Sequence, residues 1–203
     1  MDEVSAFVLA GGQSRRMGMD KAFIELEGQS LLVRALNVVT GITPNVQILG
    51  SKAKFAEFGK VVEDQFPNHG PLGGIHAALR ASSSDLNLIL AVDMPFVPGK
   101  FLRYLVRVAR QQDAVVTVPK GSRGWQPLCA MYRPSFADLA QNALQKGHNK
   151  IDALFPETTL QVLEESELER DGFSSDMFRS LNTPQDLREA KSRLQQTLPV
   201  VKN

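Results

Sequence analysis

A single cysteine, Cys129, excludes an intramolecular disulfide framework and a multi-cysteine zinc centre, and it suits a reducing compartment. An excess of charge of one sign is also lacking. With 23 Lys+Arg against 22 Asp+Glu, the chain has no global field for nucleic acid or an anionic membrane, so any anion site must be local. No long hydrophobic run occurs: the stretch from Val4 to Ala10 is too short to span a bilayer and runs into Gly11 and Gly12. The opening Met1-Asp2-Glu3 is acidic where a secretory signal carries positive charge, and neither end bears a lipidation signature. These absences predict a cytoplasmic protein with no membrane or nucleic-acid partner. Internal repeats, low-complexity tracts and long linkers are absent too. The composition, 43% hydrophobic and 22% charged, is that of a folded chain, and 203 residues suffice for one packed domain.

Apolar runs bounded by turn residues alternate with segments of helical period. That alternation predicts one α/β domain over residues 1–203, three layers deep around a mostly parallel, Rossmann-like central sheet. Strands are expected at 4–10, 46–49, 60–63, 87–92 and 114–118, with a weaker one at 160–163 and an extended segment at 127–132. Helical stripes run through Leu31, Leu32, Ala35, Leu36 and Val39 behind a Ser30 cap, over 74–81, from Phe101 to Ala109 and from Phe136 to Leu144. A last helix starts at Thr183-Pro184, where a threonine cap, a proline at the first helical position and an acidic first turn coincide. The acidic run Glu164-Glu165-x-Glu167-x-Glu169 reads as a solvated edge or loop.

Unusual residues gather at the expected strand ends, where open α/β sheets bind ligands. Leu9-Ala10-Gly11-Gly12-Gln13-Ser14-Arg15-Arg16-Met17-Gly18-Met19-Asp20-Lys21 combines glycines that permit close backbone approach with three cations suited to a polyphosphate. Neither Gly-x-Gly-x-x-Gly opening a helix nor Gly-Lys-Ser/Thr occurs, which excludes the dinucleotide fingerprint and the NTPase phosphate loop. In Leu88-Ile89-Leu90-Ala91-Val92-Asp93-Met94-Pro95 a carboxylate follows a buried apolar strand directly, a placement suited to Mg²⁺ bridging phosphate oxygens. Asp64 ends a third strand ahead of the turn Gly70-Pro71-Leu72-Gly73-Gly74. A basic glycine loop, a metal-suited Asp and a second carboxylate at successive strand ends together indicate a nucleoside triphosphate site.

These residues resemble the molybdenum cofactor guanylyltransferase family, within the pyrophosphorylase-like nucleotidyltransferases of nucleotide-diphospho-sugar transferase-like fold. Leu-Ala-Gly-Gly-x-Ser-x-Arg-Met-Gly-x-Asp-Lys is matched from Leu9 to Lys21, Gly-Pro-Leu-x-Gly from Gly70, x-x-Asp-Met-Pro-Phe up to Phe96, and Asn-Thr-Pro-x-Asp-Leu from Asn182. The resemblance implies transfer of GMP from GTP to the phosphate of molybdopterin-bound molybdenum, with release of pyrophosphate and with Mg²⁺ as cofactor. It further implies a nucleotide-binding half of about residues 1–110 and an acceptor-binding half of about 111–203. Leu9, Ala10, Gly11 and Gly12 would line the guanine and phosphate pocket through their backbone. Lys21 would contact phosphates and stabilise charge, Arg16 would clamp them, Asp64 would hold the nucleoside end, and Asp93 would bind Mg²⁺ and nucleotide. Trp125, Gln126 and Asn182 would face the acceptor, although Trp125 serves equally as a pterin stack or a core anchor. Molybdenum-insertion and molybdoenzyme maturation proteins are the further partners implied.

The chain departs from this pattern at Val92, where many relatives carry Cys, and at Leu49-Gly50-Ser51, which lacks an Asn that some members use near the base. Two alternatives stay open: a CTP-dependent relative, against which Gly12 speaks, and a non-catalytic nucleotide-binding delivery protein, against which joint retention of Lys21 and Asp93 speaks. Cys129 reads as a structural thiol. His69, His76 and His148 lack metal-ligand spacing and read as surface or turn residues.

Overall fold

The computed structural model describes residues 3–11, 20–122 and 124–197. The first strand, β1 (Val4–Leu9), is buried along its whole length because helices cover both of its faces. Alternation along it feeds two cores: Val4, Ala6 and Val8 enter one, while Phe7 and Leu9 enter the other. β1 lies between β4 (Val46–Leu49) and β6 (Leu86–Ala91), parallel to both, and β5 (Val61–Val62) continues the parallel set beyond β4. On the other side β9 (Cys129–Tyr132) lies between β6 and β7 (Val116–Gly121), antiparallel to each, and β10 (Leu160–Glu164) closes the edge parallel to β7. The strand order is therefore β10-β7-β9-β6-β1-β4-β5, with β8 (Gly124–Trp125) paired to β7. The chain moves outward from β1 through β4 and β5 and then returns to the far side of β1 as β6. That reversal is the topological switch point.

On one face α1 (Leu31–Thr40) and α4 (Gly99–Gln111) bury Leu32, Val39, Phe101 and Leu105 against β1 and β6. On the other, α3 (Pro71–Ala81) and α5 (Phe136–Gln145) bury Leu72, Ile75, Phe136 and Ala140. The expected single α/β domain with a mostly parallel sheet is what these layers form. Ser30 caps α1 as predicted, its hydroxyl accepting from Val33 N–H at 3.3 Å. Cys129 is fully buried and burial pushes its thiol well above the ordinary range, in keeping with a structural role. Among the described residues no helix is long and apolar enough to cross a membrane.

Several elements differ from expectation. The extended segment 127–132 narrows to β9, and it runs antiparallel because the connection from β7 is too short for a parallel crossover. The acidic run is not a loop: after Glu164 it forms the helix α6 (Glu165–Arg170), pinned by buried Leu168 and with Glu165 and Glu167 in a first turn that favours negative charge. His76 is not a surface residue; it is 1% exposed inside α3. That helix begins at Pro71 rather than Gly74, because proline suits the first helical position and Gly70, at φ +68°, supplies the turn before it. Two short elements have too few residues to show a period. The hairpin β2 (Glu25–Leu26) and β3 (Gln29–Ser30) turns on Glu27 and Gly28, both at positive φ, and α2 (Lys52–Phe55) follows β4.

Phe101 is fully buried and packs edge-on against Phe173 and Phe178 at 5.3 and 5.4 Å between ring centroids. Phe101→Ala is therefore expected to lower stability by about 3–5 kcal/mol, read as a shift in the urea midpoint at unchanged slope.

Candidate active site

The C-terminal ends of β6, β1, β4 and β5 lie side by side. At spacings of about 4.8 Å per strand pair they span roughly 14 Å, the scale of a nucleoside with its phosphates. At the β6 end, Val92 N–H donates to the Leu9 carbonyl at 3.0 Å, so Asp93 leaves the sheet next to the exit of β1. Lys21 reaches the same point from a 3-10 turn, Lys21–Phe23. The Asp20 carboxylate caps this turn by accepting from Ala22 N–H at 3.2 Å, and its other oxygen pairs with Lys54 of α2 at 2.7 Å. Ala22 is fully buried, and Phe23 leans on Phe55 and Phe58, with centroids 5.8 and 6.0 Å away. The turn is thereby fixed to the body of the protein.

Lys21 Nζ donates to Asp93 Oδ2 at 2.8 Å and to Asn182 Oδ1 at 2.6 Å. The lysine and aspartate side chains are only 20% and 18% exposed, so this pair is screened less than a surface ion pair. Asn182 is held from below. Leu181 N–H donates to the Asp93 carbonyl at 2.8 Å, and Asp186 Oδ2 accepts from the N–H groups of Asn182 and Thr183 at 2.9 and 2.8 Å. Thr183 Oγ1 accepts in return from Asp186 N–H at 3.1 Å, which completes a reciprocal cap at the start of α7 (Pro184–Thr197). The Asn182 N–H, followed by the Thr183 groups, holds the Asp186 carboxyl below the usual carboxylate range.

Beside this cluster, a cavity of about 750 Å³ opens at the ends of β1, β4 and β5. Leu9, Leu49 and Pro71 give it apolar walls, and Ser51, Asp64 and Asn68 bring polar groups to it. Glycines set its shape. A Cβ on Gly73 would collide with the Asp64 carboxylate, and one on Gly74 would stand 2.7 Å from Leu9 Cδ1. Asp64 Oδ1 accepts from Phe66 N–H at 2.7 Å. Burial raises the Asp64 carboxyl above its ordinary value, opposed by that hydrogen bond and by His76 and His69.

The expected site residues thus fall into three groups. Lys21, Asp93 and Asn182 meet, with the Asn182 side chain accepting from the lysine. Leu9, Gly11 and Asp64 line the cavity. Ala10 and Gly11 both donate their N–H groups to the Leu49 carbonyl, at 3.0 and 2.9 Å, so these two groups do not face a ligand as expected; the parallel ladder claims them. Trp125 and Gln126 lie apart, on β8 and its exit. One side of the half-buried Trp125 ring packs on Phe155 at 5.1 Å, and Lys120 Nζ stands 4.8 Å from its centroid. Gly12 and Arg16 are outside the described residues, as is Arg15. The sequence reading did not single out Asp20, Lys54, Asn68 or the anchoring contacts of Asp186. For Asp186 the signal was present, because Thr183-x-x-Asp186 has the spacing of a reciprocal cap.

A family model described as a MobA-like NTP transferase domain matches residues 6–161. The chain belongs to the MobA-like NTP transferase family. The resemblance carried by its opening and central motifs therefore holds, and Lys21, Asp64 and Asp93 all fall within the matched span. A probable molybdenum cofactor guanylyltransferase from Clostridium perfringens is 34% identical over 167 residues, which is 81% of this chain and 83% of that one. A protein of the same name from Pelotomaculum thermopropionicum is 31% identical over 94% of this chain and 93% of its own length. The crystal structure of molybdopterin-guanine dinucleotide biosynthesis protein A from Archaeoglobus fulgidus superposes with a TM-score of 0.84 at 27% identity, covering 95% of this chain and all 100% of that one. Membership of the MobA-like family places the chain among nucleotidyltransferases.

Because burial raises the Asp64 carboxyl, ionisation there costs stability at neutral pH, and the cost is relieved as pH falls through the raised value. Asp64→Asn should therefore melt higher than the wild type at neutral pH, with the difference vanishing below about pH 4. Paired thermal melts across that range check both the sign and the window.

Proposed function

We propose that this chain transfers GMP from GTP to the terminal phosphate of molybdopterin-bound molybdenum, in the cytoplasm, and releases pyrophosphate. One observation carries the reading: the Lys21 ammonium is clamped between Asp93, at the exit of β6, and Asn182, at the lead into α7, next to a cavity of about 750 Å³. The names of the curated relatives support the choice of base and acceptor. In this reading the nucleoside enters the cavity between Leu9, Gly11 and Asp64, with Ala10 shaping the backbone behind it, and Gly12 has the nucleotide-binding role that the family resemblance implies. The phosphates run toward Lys21 and Asp93. Residues 1–110 form the nucleotide half. Residues 111–203 form the acceptor half, where Trp125 and Gln126 meet the pterin and from which Asn182 reaches the lysine. Molybdenum-insertion and molybdoenzyme maturation proteins are the partners such a product requires.

The reaction needs no covalent enzyme intermediate. An oxygen of the acceptor phosphate forms a bond to the α-phosphorus of GTP, and the bond from that phosphorus to the bridging oxygen breaks, its electron pair leaving with pyrophosphate. Such a transfer depends on positioning and charge stabilisation. Lys21 offsets the charge on the α-phosphoryl oxygens, Arg16 clamps the remaining phosphates, and Asp93 with Asn182 fixes the direction of the Lys21 ammonium. Among the described residues no three His, Cys, Asp or Glu side chains gather as a metal nest, so a metal held wholly by protein does not fit. The single carboxylate of Asp93 does fit Mg²⁺, which commonly takes one or two carboxylates and completes its shell with substrate phosphates and water. Bound there, the ion would supply positive charge to offset that of the phosphates.

Lys21→Ala and Asp93→Asn should each lower kcat for pyrophosphate release by about 10²–10³-fold, with unfolding midpoints close to that of the wild type. Transfer at the wild-type rate by Asp93→Asn would remove the catalytic assignment.

A further inference from the structure

The outer face of α4 carries a row of cations that the site does not use. Lys100, Arg103, Arg107 and Arg110 recur at intervals of three, four and three residues, all exposed, on a helix that holds no acidic residue. At about 1.5 Å per residue the row is about 15 Å long. Among the described residues no carboxylate lies within ion-pair distance of Lys100, Arg103 or Arg107. Lys100 stands 5.3 Å from the centroid of Phe173, and Arg107 lies 5.2 Å from that of Tyr104, so aromatic faces support these two stems. Helix physics accounts for only one end of the row, since Arg110 lies in the last turn, where the dipole favours a cation. Like charges three and four residues apart repel, and Lys100 sits in the first turn, where the helix dipole disfavours a cation. In a chain whose charges otherwise nearly cancel, such a concentration is a local feature of one face.

The row also frames a hollow. A cavity of about 460 Å³ lies between α4 and the start of β1, with Val4, Ile42 and Val106 as its apolar lining and Arg103, Arg107 and Arg110 at its margin. An apolar pocket bordered on its α4 side by three arginines has the anatomy of a protein–protein anchor point, with a desolvated centre and a charged margin. A nucleic-acid backbone has no group to place in an apolar hollow, and a 15 Å helical row on a neutral chain is a poor match to an extended polyanion.

We propose that this face of α4 docks a partner protein through an acidic helix whose carboxylates oppose the four cations and whose single apolar anchor enters the hollow between Val4, Ile42 and Val106. The face lies outside the Lys21–Asp93 cluster and shares no lining residue with the cavity beside it.

The test uses a fluorescein-labelled helical peptide with four glutamates at matching intervals and one phenylalanine between them, read by anisotropy at low and high salt. Saturable, salt-sensitive binding to the full chain is expected. It should weaken by about tenfold or more for Arg103→Glu/Arg107→Glu, and weaken again when serine replaces the peptide's phenylalanine. Arg103→Ala alone should weaken it in the same direction and to a smaller extent, and the variants should melt as the wild type does. The proposal is overturned if the peptide does not bind saturably or binds the double variant equally well. It is also overturned if single-stranded RNA of equal charge displaces the peptide at the same or lower concentration. Sedimentation showing that the wild type self-associates through these arginines, with the double variant monomeric, would likewise replace the partner by a second copy.

Discussion

The Lys21 ammonium, held at 2.8 Å from Asp93 and 2.6 Å from Asn182, is the contact on which the rest of the site depends. It joins three segments far apart in the chain: the turn after β1, the exit of β6 and the lead into α7. A lysine side chain is costly to order and, when exposed, gains little from one carboxylate. Here two acceptors share the ammonium in a partly buried position. The acceptors are themselves fixed, Asp93 by the turn after β6, where its carbonyl accepts from Leu181 N–H, and Asn182 by the reciprocal Thr183–Asp186 cap. The result is a cation whose direction is set before any substrate arrives, which is what electrostatic stabilisation of a transferring phosphoryl group requires.

The sheet explains why the contact can exist. A strand buried on both faces excludes charge along its length, as β1 and β6 do although Ser5 and Asn87 within them are buried and polar, so the first charged groups come beyond its end. β1 and β6 are such strands and lie side by side, so the residues that follow them emerge together at the switch point. Beside them the backbone of α3 approaches closely, and this needs hydrogen in place of a side chain. Gly73 makes room for the Asp64 carboxylate and Gly74 for Leu9. One fold thus places an anionic residue, a cationic residue and an apolar cavity within a span of about three strand spacings.

Much of this was legible in the sequence for the same reason. Runs such as Leu88 to Val92 are long enough to show burial on both faces, and the residue types of Asp64 and Asp93 just beyond strands, and of Lys21 in the basic loop after β1, announce themselves. What escaped has a physical cause in each case. β9 reverses direction through a connection whose length, not composition, decides its sense. The helix α6 rests on one buried leucine, too little for a period. His76 is polar yet buried, and one-dimensional patterning has no means of finding the Phe66 ring against it at 5.2 Å. The reach of Asn182 to Lys21 is a tertiary contact spanning 161 residues, which no local pattern announces. The N–H groups of Ala10 and Gly11 are committed to Leu49, a detail that only strand pairing decides.

The most direct measurement is calorimetric titration of the purified protein with GTP, CTP and ATP, each with and without Mg²⁺. Selective binding of GTP that strengthens with the ion is the expected result. Preference for CTP would leave the fold and the Lys21–Asp93 pair in place but contradict the guanylyl assignment. Equal binding of all three with no response to Mg²⁺ would contradict the role given to Asp93.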